Sequence, residues 1–172
     1  MHSRGSEDNR TVINLTQAVE ESLHLAYHSM RAKDTSFNAD FATAIHDPDC
    51  EVRVVPQDFQ RVLLNLLNNA FFSVQEKKQT QQDLSYHPMV KVSSSEDEKN
   101  VYVHVYDNGF GIPEKQQKEI FNPFFTTKPS GHGTGLGLSI SYEIITKIHG
   151  GEITVSSRPK EYAEFTITLP KE

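Results

Sequence analysis

Asp107-Asn108-Gly109-Phe110-Gly111 is the stretch whose reading decides the fold: a carboxylate closes a strand, and two glycines follow it at once. The strand before it runs Val101-Tyr102-Val103-His104-Val105-Tyr106-Asp107, and side chains along a strand alternate between faces. Val101, Val103 and Val105 therefore share a face with Asp107. An apolar face of this kind packs on a core, where an ionised group is costly unless donors reach it. Asn108 and Gly109 read as a turn, and Gly111 supplies a positive φ or room for something flat to approach the backbone. Two readings follow: a hairpin whose Asp caps its own turn, or a corner that offers a carboxylate to a ligand.

The composition bounds the choice. The chain has 172 residues, 36% hydrophobic and 23% charged, which suits one soluble domain with a sizeable core. A net charge of −6 with no Lys/Arg stripe argues against nucleic-acid binding. Cys50 is the only cysteine, so no intrachain disulfide is possible and a reducing compartment is expected. No run approaches the ~18 apolar residues of a membrane span, so this chain is expected to make no direct membrane contact. The polar start Met1-His2-Ser3-Arg4-Gly5-Ser6 has no signal-peptide core. Residues 1–10 read as a disordered end or cloning remnant, and residues 11–172 as one domain.

Upstream of the corner, Pro56 and Asp58 open a helix with the densest apolar stripe of the chain. Phe59, Val62, Leu63, Leu66, Leu67, Ala70, Phe71 and Val74 fill one arc of a 3.6-residue wheel. Asn69 lies at the margin of that arc, with Asn65 one turn before it, so two amides sit where the buried face meets whatever adjoins the core. Earlier still, residues 12–15 read as a short strand, and Thr16 caps a helix running to about Met30. His24 and His28, one turn apart on that helix, have no third ligand nearby and read as a partly exposed face. Residues 37–45 and 51–55 read as a hairpin turned by Asp47-Pro48-Asp49, residues 76–87 as a mobile polar loop, and residues 89–93 and 100–106 as a second hairpin.

Downstream, Ile112-Pro113-Glu114 starts a short helix. Phe121-Asn122-Pro123-Phe124-Phe125-Thr126-Thr127-Lys128 then reads as a loop pinned to the core at one end. Gly131, Gly133, Gly135 and Gly137 alternate with His132, Thr134 and Leu136, and Leu136, Ile140, Ile144 and Ile148 continue at helical spacing. A glycine loop that feeds directly into a helix N-terminus offers free N–H groups and a helix dipole to an anion such as phosphate. Gly150-Gly151 ends the helix, and residues 152–156 and 163–169 read as the last two strands.

Taken in order, these pieces resemble the ATP-binding catalytic domain of sensor histidine kinases, within the superfamily that includes gyrase B, the heat-shock chaperone ATPases and MutL. The Asn-box resembles Asn65-Leu66-Leu67-Asn68-Asn69-Ala70, the first glycine box Asp107 to Gly111, the Phe box 121–128, and the second glycine box 131–138. The resemblance implies the Bergerat fold, an α/β two-layer sandwich with a mixed, mostly antiparallel sheet of about five strands and about three helices on one face. It also implies ATP and Mg2+ as cofactors. By the same resemblance Asp107 accepts a hydrogen bond from the adenine amine, Gly111 lets the base lie close, and Asn69 binds Mg2+ with Asn65 beside it. Lys128, Thr126 and Thr127 would sit at a lid over the nucleotide, and the N–H groups around Gly133, Gly135 and Gly137 would wrap the phosphates. Gly109, Ile112, Phe125, Thr134 and Leu136 complete the implied nucleotide-facing set.

The chain departs from the family pattern in three places. Phe71-Phe72 stands where many members place a Lys, which makes Lys77, two turns on, the candidate to meet phosphate charge. Ala163 stands where a hydroxyl normally helps hold the adenine network. The helical hairpin that carries the phosphoacceptor histidine is not evident. The implied partners are therefore a dimerisation and phosphoacceptor domain of the same kinase and a response regulator, with this chain cytoplasmic and monomeric alone. Asn65 occupies the place of the water-activating Glu of gyrase-like ATPases, which favours a kinase over an ATPase switch or a binding-only module.

Overall fold

The structure, a computed structural model, describes residues 9–81, 83–125 and 137–171. Along them run β1 (Thr11–Asn14), α1 (Leu15–Lys33), β2 (Asp40–Ala44), β3 (Glu51–Val54), α2 (Pro56–Thr80), β4 (Met89–Glu96) and β5 (Asn100–Asp107). There follow α3 (Glu114–Gln117), α4 (Gly137–Glu143, continued by a π turn over Ile144–Ile148), β6 (Glu152–Arg158) and β7 (Tyr162–Pro170). One sheet has the order β2-β4-β5-β7-β6, and β1 and β3 form a separate two-stranded ribbon. β2 runs parallel to β4, and the other neighbours in the sheet are antiparallel. The mixed, mostly antiparallel sheet with helices on one face is the sandwich that the sequence led us to expect.

The alternation in β5 sets the sheet's inner face: Val101, Val103, Val105 and Asp107 are all buried. Against it lies the apolar arc of α2, where Phe59, Val62, Leu63, Leu66, Leu67, Phe71 and Val74 are at most 1% exposed. Burying each such side chain contributes about 1.5–3 kcal/mol, so α2 is the helix on which the two layers close. Pro56 occupies its first turn, where the missing N–H has no intrahelical partner to lose.

Four local expectations are corrected. First, β2 and β3 do not form a hairpin: β2 pairs with β4, and β3 turns away to pair with β1. His46 holds the end of β2 to β4, its N–H donating to Ser94 Oγ at 3.1 Å, while Leu15 N–H donates to Cys50 O at 2.9 Å beside β3. Second, Asn14 rather than Thr16 caps α1, its side chain accepting from Gln17 N–H at 2.8 Å. Third, α2 continues through residues read as the start of a loop, because Lys77 extends the buried stripe one turn past Val74. Fourth, the last helix widens into a π turn before His149, whose N–H reaches Ile144 O at 3.2 Å.

Candidate functional site

The corner after β5 is built around Asp107, which is only 4% exposed. Its Oδ1 accepts the Gly109 N–H at 2.9 Å, so the carboxylate does cap its own turn. That bond is not enough. Burial pushes the carboxyl up to about 7, against the pull of the Gly109 N–H, the Ser73 hydroxyl and the Lys77 ammonium, each of which favours the charged form. Burial thus outweighs the donors around this carboxylate, and a ligand bearing an amine would add one more.

Its supports come mainly from α2. Asn65, Asn69, Ser73 and Lys77 recur every fourth residue, a polar rail beside the buried arc that covers about 18 Å of helix at 1.5 Å per residue. At one end, Asn65 Nδ2 donates to Gly137 O at 3.2 Å and to Ser141 Oγ at 3.1 Å, fixing the start of α4. Asn69, half-buried, comes next. At the other end, Ser73 Oγ accepts the Phe110 N–H at 3.2 Å, and Lys77 Nζ donates to Lys160 O at 2.8 Å, Gly109 O at 3.3 Å and Asn108 O at 3.4 Å. The Lys77 ammonium also lies 4.8 Å from the centre of the Tyr86 ring. Lys77 is thus committed to the carbonyls of the corner, not held open for phosphate as the sequence suggested. Its aliphatic stem completes the buried stripe.

The two glycines have reasons that the sequence alone did not show. A Cβ at Gly109 would lie 2.1 Å from Ser73 Oγ, so this glycine lets α2 approach the corner. Gly111 has φ +70, and a Cβ there would meet Arg158 O at 2.5 Å and Tyr162 O at 2.8 Å. The turn between β6 and β7 therefore packs on Gly111, and of the two reasons offered for this glycine the positive φ is the one found. Ile112 N–H donates to Ser157 Oγ at 2.8 Å, and Ser157 in turn donates to Tyr162 O at 2.7 Å, tying the corner to the same turn. Asn108 braces the other side: its Oδ1 accepts from Met89 N–H at 2.8 Å and its Nδ2 donates to His87 O at 2.9 Å.

Asp107, Gly109, Gly111, Ile112 and Lys77 thus gather at the Lys77 end of the α2 rail, and Asn65 and Gly137 meet at its other end, midway along the helix. Phe121 packs on Tyr142 and Phe165, Phe125 lies against the core, and Phe124 is 72% exposed, so the aromatic loop is pinned at its start as expected. Thr126, Thr127, Lys128, Gly133, Thr134, Gly135 and Leu136 lie outside the described residues. Sequence reading missed Ser73 and Tyr86, and it took Asn108 for a turn residue without its bonds to Met89 and His87. The continuation of the Asn65–Asn69 spacing to 73 and 77 was the available signal for Ser73.

This two-layer sandwich, with a polar rail on its central helix leading to a buried strand-end carboxylate, is shared with known catalytic domains. Residues 54–172 match the family described as histidine kinase-, DNA gyrase B-, and HSP90-like ATPase. The catalytic domain of histidine kinase ThkA, solved nucleotide-free, superposes with a TM-score of 0.74 and 32% identity, covering 94% of this chain and 97% of that one. Sensor histidine kinase ZraS of Escherichia coli (strain K12) is 32% identical over 92% of this chain and 30% of its own length. Sensor histidine kinase YcbM of Bacillus subtilis (strain 168) is 30% identical over 99% of this chain and 51% of its own. This chain belongs to the histidine kinase-, gyrase B- and HSP90-like ATPase family, and its fold is that of a histidine kinase catalytic domain. It spans between about a third and a half of these two curated relatives.

Proposed function

We propose that residues 11–172 are the ATP-binding catalytic domain of a two-component sensor histidine kinase, which holds Mg-ATP for γ-phosphoryl transfer to a histidine on a separate dimerisation domain. The observation that carries this reading is Asp107, a carboxylate buried at the end of β5 in a corner braced by α2 and by the β6–β7 turn, which suits the exocyclic amine of adenine. Asn69, midway along the α2 rail, would hold Mg2+, whose charge offsets that of the phosphates. Asn65 fixes the start of α4 and so positions the chain that follows the glycine loop. Gly133, Thr134, Gly135, Leu136 and Gly137 would wrap the phosphates, with Thr126, Thr127 and Lys128 at the lid and Phe125 beside it.

The acceptor imidazole is itself the nucleophile, so this chain need supply no strong general base. That distinguishes it from a water-activating ATPase. The Asn65 amide already donates to Gly137 O and Ser141 Oγ, and an amide takes no proton from water. The partners of this reading are the dimerisation domain and a response regulator, with the chain monomeric and cytoplasmic. Among the described residues no helix is long and apolar enough to cross a membrane.

The test is label transfer from γ-labelled ATP to a separately produced dimerisation domain. Label should appear on that domain's histidine with this chain and Mg2+ present, and Asn69→Ala should abolish it while leaving the thermal melt unchanged. Wild-type labelling by Asn69→Ala would remove the metal role.

A further inference from the structure

We propose that Ser73 is the positioning residue of the Asp107 corner: its hydroxyl, reaching in from α2, holds the carboxylate for the base, a task that no side chain of the sheet performs. The inference rests on the reading that Asp107 receives the adenine amine, and it concerns how this particular chain keeps that carboxylate ready.

The sheet has no side-chain donor to give. In register with Asp107 stand Val90 on β4 and Ala163 on β7, and neither carries a polar group. Ser157, opposite Ala163 on β6, has its hydroxyl committed, since it donates to Tyr162 O at 2.7 Å and accepts from Ile112 N–H at 2.8 Å. Within the corner, the Gly109 N–H supplies one bond. That leaves α2, and there the Lys77 hydrogen bonds run to three backbone carbonyls.

Ser73 is placed to do the work. A hydroxyl has one proton and two lone pairs, and Ser73 Oγ uses a lone pair to accept the Phe110 N–H at 3.2 Å. The proton is left for a carboxylate, a better acceptor than the helix carbonyl it could otherwise reach. The hydroxyl is in fact among the groups that lower the Asp107 pKa against burial. The space at Gly109 agrees: a Cβ there would lie 2.1 Å from Ser73 Oγ and 2.9 Å from Asp107 Oδ1, so both oxygens flank a gap that only glycine leaves open. Ser73 Oγ thus holds the amide after the turn and lies beside the same gap as Asp107 Oδ1, which places its proton to serve the carboxylate before the turn.

The experiment compares wild type, Ser73→Ala and the double variant Ser73→Ala/Ala163→Ser by two readouts. Carbon-13 NMR follows the Asp107 carboxyl through pH without nucleotide, and calorimetry gives the affinity for a non-hydrolysable ATP analogue with Mg2+. The other titratable groups that influence the carboxyl, Lys77 from α2, Tyr86 from the segment before β4 and Tyr106 on the opposite face of β5, are the same in all three proteins. Ser73→Ala should move the carboxyl midpoint upward and weaken the analogue about tenfold, the size of one hydrogen bond to a charged group. Ala163→Ser, offering a hydroxyl from the facing strand, should bring both back toward wild type. An unmoved midpoint, or a moved midpoint with unchanged affinity, overturns the proposal. A wild-type chain that binds no analogue overturns the adenine reading instead, and the midpoint shift then still decides whether Ser73 holds Asp107.

Discussion

Asp107 makes opposite demands in folding and in binding. Because the folded carboxyl holds its proton more tightly than the unfolded one, its contribution to stability is full below the ordinary value of 3.8 and is lost as pH rises through about 7. An adenine amine needs the ionised form as acceptor, so affinity should fall about tenfold per pH unit below the carboxyl's midpoint, with a proton released on binding. Calorimetry in two buffers of different ionisation enthalpy would read both effects; a pH-independent affinity across this range would contradict the assignment. Lys77, next to this carboxyl, is 7% exposed and donates to three carbonyls. Lys77→Met keeps the stem and removes the donors, and should cost about 2 kcal/mol in chemical denaturation. An unchanged denaturation midpoint would show that those bonds contribute nothing.

The elements that carry the rail are locked together at their ends, and His149 is one of the locks. It is 3% exposed; its Nδ1 donates to Ile144 O at 2.9 Å and its Nε2 accepts the Val55 N–H at 3.0 Å, joining the π turn to the start of α2. Nε2 can accept only while the ring is neutral. Burial lowers the His149 pKa below 6.5, Arg10 nearby lowers it further, and Asp58 and the Ile144 carbonyl oppose them. The stabilising contribution is therefore present above 6.5 and lost as pH falls through the depressed folded value. Between about pH 8 and about pH 5 the wild type should lose more stability than His149→Ala, because only the wild type has this contribution to lose. Equal pH slopes for the two proteins would remove it.

At this same scale the sequence was legible wherever a period fixes a face. Alternation in β5 put Asp107 on the core side, and the 3.6-residue arc of α2 put Asn65 and Asn69 at its margin, as the structure has them. Strand partners were not legible. β2 is an exposed edge strand, and nothing in its alternation distinguishes β4 from β3 as a neighbour. Lys77 was misread because polar composition after Val74 looks like a loop, whereas a buried lysine stem with an ammonium on carbonyls prolongs the helix. Gly109 and Gly111 were recognised as special, but the atoms that require them, Ser73 Oγ and the carbonyls of the β6–β7 turn, come from distant parts of the chain.

For the whole molecule, the polar rail of the central helix joins a carboxylate corner at one end to the start of α4 at the other, and the proposed function turns on what lies along that rail. The chain covers 30% of ZraS and 51% of YcbM. On the proposed reading the phosphoacceptor lies on a separate domain, and the chain alone should then transfer little phosphate. Binding should not need that partner. The most direct test is calorimetric titration of this chain with a non-hydrolysable ATP analogue, with and without Mg2+, set against Asp107→Asn, whose amide can turn a donor toward the adenine amine. The account predicts saturable binding that Mg2+ strengthens and that Asp107→Asn weakens about a hundredfold or more. Absence of binding by the wild type, or an unchanged affinity in Asp107→Asn, would contradict it.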